Sequence, residues 1–346
     1  MKNILVTGAG AVLGQGILRC LQDEKNKIFI HTADPDYRSP GHWLGNKAHI
    51  VKMAKDPSYI DSIENILSAE NIDLVFIGTD TELPIFSLHK DRLQKKYNTI
   101  IVVSDSNIIN IANDKFLTAH FLKEHNFPFP TSIMSSDKTA IEILKQQANY
   151  PYIAKPIDGA RSKGVELIYS ALDLDRVSSF VNNLVIQEFI PDYDGEYTSG
   201  CLVFNGKCKA VVTLKRDLRD GNTNRAYYNK SYEQFNSFIS KVAETLGIEG
   251  PSNFQFRIKD KLPIIFEINS RFSGTTPLRY FFGFNEVKAC IDYYLHNIEV
   301  GPYELKPGLI MRVWSDIFVK EEQINDLKST GVLNNPNSTY YSFKKI

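Results

Sequence analysis

The residues best equipped for chemistry lie between Asn253 and Thr276, in NFQFRIKDKLPIIFEINSRFSGTT. Phe254, Phe256 and Ile258 alternate with Asn253, Gln255 and Arg257, and Leu262, Ile264, Phe266 and Ile268 alternate with Glu267 and Asn269. Two half-apolar strands joined at Lys259-Asp260-Lys261 are predicted from this period of two. If the connection leaves an odd number of residues unpaired, Gln255, Glu267 and Asn269 share the polar face. One carboxylate and two amide oxygens then converge, a set that suits a hard divalent cation completing its octahedron with water and phosphate oxygens. Arg271 follows two residues later with a charge suited to phosphate. The competing reading of the same residues is an amphipathic hairpin with a solvated face.

Other cations and small residues precede this hairpin. Lys155 lies in the predicted strand 151–156, PYIAKP, between apolar neighbours, and Lys115 opens a helix after Asn113-Asp114. Between Lys155 and the next strand lies DGARSKGV, residues 158–165. Backbone amides freed by Gly159 and Gly164, with Ser162 and Lys163 among them, suit a lid over phosphates; an ordinary hairpin loop is the alternative. Strand 184–190, LVIQEFI, carries Gln187, Glu188, Phe189 and Ile190, and Glu196 begins the strand after it.

The elements that must position these residues begin with a short apolar strand, ILVT, a turn containing Gly8, Gly10 and Gly14, and a helix. This is a doubly wound opening, continued by helix 58–69, strand 73–77, helix 82–94 and strand 99–103. The GAGAVLG turn suits either a dinucleotide pyrophosphate, with Asp34 as the ribose ligand, or simple close packing of helix on strand. Asp80 and Glu82 stand at the carboxyl end of a strand, where ligands bind in such sheets, and are equally placed to cap the following helix. A boundary is expected near 108, and the FPFP segment stops the helix after it. Helices are also predicted at 137–147, 231–246 and 285–296, with a strand and a tail over 309–346.

At 346 residues the chain is long enough for two or three domains. Forty basic and forty acidic residues cancel, which argues against nucleic acid or an acidic surface as partner. Cys20, Cys201, Cys208 and Cys290 show no metal-binding spacing and read as reduced packing thiols. The opening MKNILVTGAG has no apolar run suited to a leader or a membrane span, so a cytoplasmic location is expected.

Taken in order, Lys115, Lys155-Pro156, the 158–165 loop, Gln187 to Ile190, Glu196, Gln255 and Glu267-Ile268-Asn269-Ser270-Arg271 resemble the ATP-grasp superfamily, and most of all its carbamoyl-phosphate-synthase-like branch and related carboxylate-amine ligases. The resemblance covers roughly residues 1 to 310 and implies an α/β fold. Its parts would be a doubly wound pre-ATP-grasp domain at 1–108, a two-lobed ATP-grasp domain at 109–310 with a lid lobe at about 118–187, and a C-terminal segment at 311–346.

The resemblance also implies roles. Lys115 and Lys155 would hold phosphates, the 158–165 loop would close over them, Glu188 to Ile190 would read the adenine edge, and Glu196 would hold the ribose. Gln255, Glu267 and Asn269 would bind two magnesium ions, or manganese, with Glu267 bridging. Arg271, Lys155 and Arg216 would carry the chemistry. The implied reaction passes the γ-phosphoryl group of ATP to a carboxylic acid, and an amine displaces the resulting acyl phosphate. Arg216, Arg219, Arg225 and Arg279 are candidates to hold the acid, with surface charge as the alternative for each. Nucleic acid and membrane are not expected as partners, and a homodimer is expected only by analogy.

Carbamoyl-phosphate synthesis itself is disfavoured, because that large chain carries two such units. One rival is a nicotinamide-dependent reductase or epimerase. The Tyr-x-x-x-Lys pair of such enzymes occurs here only at Tyr340/Lys344 and Tyr341/Lys345. The second rival is a non-catalytic ATP-binding protein of the same fold.

Overall fold

The computed structural model describes residues 1–158, 164–180, 183–313 and 315–341. The chain opens with β1 (Lys2–Val6), α1 (Val12–Cys20), β2 (Ile28–Asp34), β3 (Lys47–Ile50), α2 (Tyr59–Glu70), β4 (Leu74–Phe76), α3 (Leu83–Tyr97) and β5 (Ile100–Val102). These five strands pair in parallel, in the order β3-β2-β1-β4-β5. Ile4, Leu5 and Val6 are fully buried. A central parallel strand is covered on both faces, which is why it reads as an unbroken apolar run.

The glycine turn serves this packing. A Cβ on Gly14 would lie 2.1 Å from the Gly8 carbonyl oxygen, and one on Gly78 would lie 2.2 Å from that of Thr7. Asp34 is spent on the same turn: its carboxylate accepts from the Gly10 amide (2.8 Å), the Asp36 amide (3.0 Å) and the Ser39 hydroxyl (2.6 Å). The ribose-ligand reading of Asp34 is therefore corrected to a structural one. Glu82 is likewise internal. It accepts from the hydroxyls of Tyr59 (2.6 Å), Thr7 (2.9 Å) and Thr79 (2.9 Å), and burial pushes its carboxyl above the usual range. Glu82 does stand at the N-cap position of α3, but its side chain bonds no helix-end amide and is turned inward, so the ligand reading is corrected to a structural one.

Two helices, α4 (Ser106–Asn113) and α5 (Lys115–Glu124), lead to the next unit. The Asp114 carboxylate caps α5 through the amides of Phe116 (2.7 Å) and Leu117 (2.9 Å), and the Lys115 amide donates to the Ile157 carbonyl at 3.1 Å. Lys115 is thereby tied to the end of a strand forty residues downstream. That strand belongs to a small lobe of β6 (Ser132–Met134), α6 (Lys138–Gln147), β7 (Tyr152–Pro156), β8 (Glu166–Ile168), α7 (Ala171–Phe180) and β9 (Leu184–Glu188). Its antiparallel sheet runs β6-β9-β7-β8 over a core that includes Ile141, Leu144, Ile168 and Leu174.

A larger antiparallel sheet follows, built from β10 (Glu196–Phe204), β11 (Lys207–Arg219), β12 (Asn222–Tyr228), then after α8 (Asn236–Leu246) β13 (Gly250–Lys259) and β14 (Leu262–Asn269). Helices α9 (Thr276–Phe282) and α10 (Glu286–His296) precede β15 (Gly308–Met311), which completes the order β14-β13-β10-β11-β12-β15. The last segment, read from sequence as a strand and a tail, returns to the first domain. After β16 (Asp316–Phe318) and α11 (Glu321–Thr330), β17 (Val332–Asn334) adds an antiparallel edge to β3, and β18 (Thr339–Tyr341) pairs with β16. Leu327 of α11 is fully buried with Trp43 and Ala48.

The β13–β14 hairpin has the expected polar face for an unexpected reason. Its turn is two residues, not three: Asp260 and Lys261 take φ of +53° and +64°, and Lys259 pairs with Leu262. Continued unbroken, that register would set Gln255 across from Phe266. A β-bulge between Gln255 and Phe256 shifts it by one, so Gln255 faces Glu267 and Asn253 faces Asn269. The expected apolar face is corrected in consequence. Ile265, not Phe266, joins Phe254, Phe256 and Ile268 in one core cluster, Ile264 is buried outside that cluster, and Phe266 turns into the cleft between the two sheets.

Candidate active site

The two sheets face each other across a cleft, and the candidate residues line it from both sides. On the small lobe, Lys155 of β7 donates to the Gln187 side-chain oxygen at 2.8 Å, and the Gln187 amide donates to the Ser132 hydroxyl at 2.8 Å. Three adjacent strands thus hold the lysine by a relay. Gln187 is 2% exposed, so it positions Lys155. The Lys155 ammonium sits 5.0 Å from the centre of the Phe266 ring. Burial lowers its pKa to about 8; Glu267 works against that fall, and Lys115 and Arg257 add to it.

An ammonium titrating there is charged below pH 8 and neutral above. A charged hydrogen bond is worth roughly 1.5–3 kcal/mol, so affinity for a polyphosphate ligand should fall by about ten- to a hundredfold between pH 7 and pH 9.5. Titration calorimetry with ATP and magnesium across that range checks this. A flat profile would show that Lys155 does not meet the phosphates.

The linker after β9 and the start of β10 form the far wall. The Glu188 amide donates to the Thr131 carbonyl at 2.8 Å, its carboxylate pairs with Lys259, and the Ile190 carbonyl accepts from Arg257 Nη1 at 2.7 Å. Glu196, 8% exposed, lies between two guanidiniums. Its Oε1 accepts from Arg216 (3.0 and 2.6 Å) and its Oε2 from Arg257 (3.1 and 2.9 Å). Burial alone would raise this carboxyl, but the two arginines outweigh it and hold it below the usual range.

On the large sheet the three expected cation ligands converge. Gln255 Nε2 and Asn269 Nδ2 each donate to Glu267 Oε1 at 2.9 Å. The amide oxygens face arginines: Arg216 Nη2 donates to Gln255 Oε1 at 2.5 Å and Arg271 Nη2 to Asn269 Oδ1 at 2.8 Å. Arg271 Nε also reaches Asp80 Oδ1 of the first domain at 2.6 Å, so Asp80 does border the site. Among the described residues, no group of three His, Cys, Asp or Glu side chains stands ready for a metal. A cation here would rest on one carboxylate and two amides.

Two joined cavities follow this surface. A smaller one, about 180 Å³, lies between the sheets and is lined by Ile153, Lys155, Phe189, Arg257 and Phe266. A larger one, about 620 Å³, runs toward the first domain past Val12, Thr79, Asp80, Arg271 and Gly274. Lys115, Asp158, Arg216, Gln255 and Glu267 border both. Of the lid, Gly159, Ser162 and Lys163 lie outside the described residues. Gly164, at φ +74°, lies beside Pro156: a Cβ there would sit 3.0 Å from the proline ring.

Three arginines leave the list of candidate acid binders. The Arg219 and Arg225 side chains are 78% and 52% exposed and pair with Asp220 and Asp217 on the surface. Arg279 is fully buried, paired with Glu286 at 2.7 Å and bonded to Thr275 (2.7 Å) and Ser273 (3.0 Å). Its guanidinium packs where Gly200 has no side chain: a Cβ there would lie 2.2 Å from Arg279 Nε. Only Arg216 of the four reaches the cleft. Arg257 was missed, although it stands two residues after Gln255 on the same strand and so on the same face.

Comparison with known proteins bears on this cleft. An ATP-grasp domain model matches residues 112–275, and a PylC-like N-terminal domain model matches residues 4–102. The carbamoyl phosphate synthase large chain of Methanosarcina barkeri is 24% identical over 319 residues, covering 80% of this chain. This chain spans 28% of that protein's length. A D-alanine–D-alanine ligase of Coprothermobacter proteolyticus is 25% identical over 191 residues, covering 49% of this chain and 62% of that one. Among solved structures, N5-carboxyaminoimidazole synthetase of Staphylococcus aureus with ADP superposes with a TM-score of 0.70, at 15% identity, over 95% of this chain and 85% of that one. The biotin carboxylase domain of Hydrogenobacter thermophilus 2-oxoglutarate carboxylase, with MgADP and bicarbonate, reaches 0.68 at 15% identity, over 92% and 74%. Among the described residues, no helix is long and apolar enough to cross a membrane.

Proposed function

The chain belongs to the ATP-grasp superfamily of ATP-dependent ligases and carboxylases, with a PylC-like domain ahead of the ATP-grasp unit, and from that premise we propose that it activates a small carboxylic acid with ATP and joins it to an amine. The γ-phosphoryl group passes to a carboxylate oxygen, giving an acyl phosphate and ADP. The amine nitrogen then attacks the acyl carbon, phosphate leaves with the electron pair of the broken C–O bond, and the nitrogen gives up a proton. The observation that carries this reading is that Lys155, Gln255 and Glu267 border one cavity, which continues past Gln255 and Glu267 into a second, larger one bordered by Asn269.

The donor set of that cluster fits magnesium. Turning over either amide exchanges nitrogen for oxygen without changing its shape, so once Arg216 and Arg271 release the amide oxygens they now hold, the two groups donating to Glu267 Oε1 become oxygen ligands beside it. Glu267, Gln255 and Asn269 would hold the metal. Bound there, magnesium or manganese neutralises charge on the phosphate oxygens.

The chain's own residues supply the rest by positioning and charge, as phosphoryl transfer requires. Lys155 and Lys115 hold phosphate oxygens, Arg271 steadies the group in transfer, and Glu188 to Ile190 present backbone to the base. Glu196 offers its oxygens to the ribose. Both are filled by guanidiniums in the structure, so this contact entails release of one of them. Arg216 also touches Gln255, and it is the one with phosphate to turn to. The acid would occupy the larger cavity, beside Arg271 and Asp80. The location we assign is the cytoplasm.

Measuring ADP and phosphate release with ATP, magnesium and a matrix of carboxylic acids and amines tests this. Equal amounts of both products, dependent on an acid and an amine together, are expected. If ATP raises the melting temperature but no pair drives release above background, the protein is a binder and the ligase reading falls.

A further inference from the structure

We propose that Arg257 is a nucleotide-positioning residue. Its guanidinium forms the floor of the base slot and fixes the distance between the linker that meets the base and the carboxylate that meets the ribose. The inference rests on the reading that a nucleotide occupies the smaller cavity.

Four observations carry it. Arg257 follows Gln255 by two on β13, so its side chain emerges on the same face of the sheet, toward the small lobe. It lines the smaller cavity and keeps 20% of its side chain exposed, although it is paired. Its in-plane donors are committed sideways, Nη1 to the Ile190 carbonyl and Nε with Nη2 to Glu196 Oε2. Its central carbon lies 5.5 Å from the centre of the Phe189 ring and 5.8 Å from that of Phe266. A guanidinium bonded through its edge leaves its flat faces for stacking. An aromatic base entering between Ile153 above and Arg257 below would therefore meet an already oriented cationic plane.

The same side chain links three separate parts of the site. The linker reaches it through a backbone carbonyl, β10 through Glu196, and β14 through Phe266. Base and ribose contacts are thus set relative to one another before any ligand arrives, a form of preorganisation. An arginine serving only to hold β10 against β13 would need neither the contact to the linker nor the aromatic rings.

The test compares the full-length parent with Arg257→Leu and Arg257→Lys, reading ATP dissociation constant, kcat and KM, melting temperature, and preference for ATP over CTP. In Arg257→Leu the dissociation constant and KM for ATP should rise by about tenfold or more, while kcat at saturating ATP stays within about threefold. Its preference for ATP over CTP should narrow by about fivefold, since the larger purine gains more from the stacking plane. Arg257→Lys should recover part of the affinity, because it restores charge without the plane.

ATP affinity unchanged to within about twofold in Arg257→Leu would overturn the proposal. Parallel losses of affinity, kcat and melting temperature in both variants would overturn it too, as the mark of a purely structural role. A parent chain that binds no nucleotide would instead overturn the proposed function, and this inference with it.

Discussion

Glu267→Ala is expected to lower ATP turnover by about a thousandfold or more, the loss of several kcal/mol of charge stabilisation in phosphoryl transfer. Glu267 supplies the only formal negative charge in the set formed with Gln255 and Asn269, and both of those amides are oriented by it. Without it, two neutral amides remain between Arg216 and Arg271, a site more attractive to anions than to magnesium. The fold should tolerate the change. Glu267 is only half-buried, and the two amides that lose an acceptor border an open cavity where water can replace it. Coupled ADP release and a melting curve on the same sample check both halves. Retained turnover would remove Glu267 from the mechanism, and a collapse of melting temperature would mark it as structural.

Arg279→Leu is expected to cost about 3–5 kcal/mol of stability, the range for removing one partner of a buried ion pair. Arg279 is fully enclosed and Glu286 is 2% exposed, so the mutant would leave a carboxylate without its counter-charge in the core. Hydroxyls of Ser273, Thr275 and Thr276 would lose their shared donor as well. Replacing both partners, Arg279→Leu with Glu286→Leu, should recover much of the loss, because two apolar groups replace the charges together. Urea unfolding midpoints of the parent, the single and the double variants measure this. The opposite pattern, full stability with lost turnover, would return Arg279 to the role of a substrate-binding arginine.

Much of the architecture was legible because it rests on short-range patterns. Ile4 to Val6 form the buried strand that their apolar run implies, and the glycines after them allow the close approach read as one of two alternatives. Lys155, Gln187 to Ile190, Glu196, Gln255, Glu267 and Asn269, far apart along the chain, line one cleft. The role of Gln187 was not legible. A glutamine beside a linker reads as a ligand contact, and only the 2.8 Å bonds to Lys155 and Ser132 show it as a prop for the lysine. The C-terminal segment was also opaque, since β17 finds its partner β3 some 280 residues earlier and nothing local announces that pairing.

What the sequence determined by itself was which residue types lie on which strands, and in what order, because side-chain alternation and turn chemistry are local properties. Three-dimensional packing alone decided their register and their ownership. A one-residue bulge set Gln255 across from Glu267 and turned Phe266 from the core to the cleft. Arg279, Asp34 and Glu82 are residue types that suit a ligand, yet the fold encloses each with partners of its own. The reason is physical: a buried charge must be answered by whatever neighbours the packing supplies, and those neighbours lie far apart along the chain.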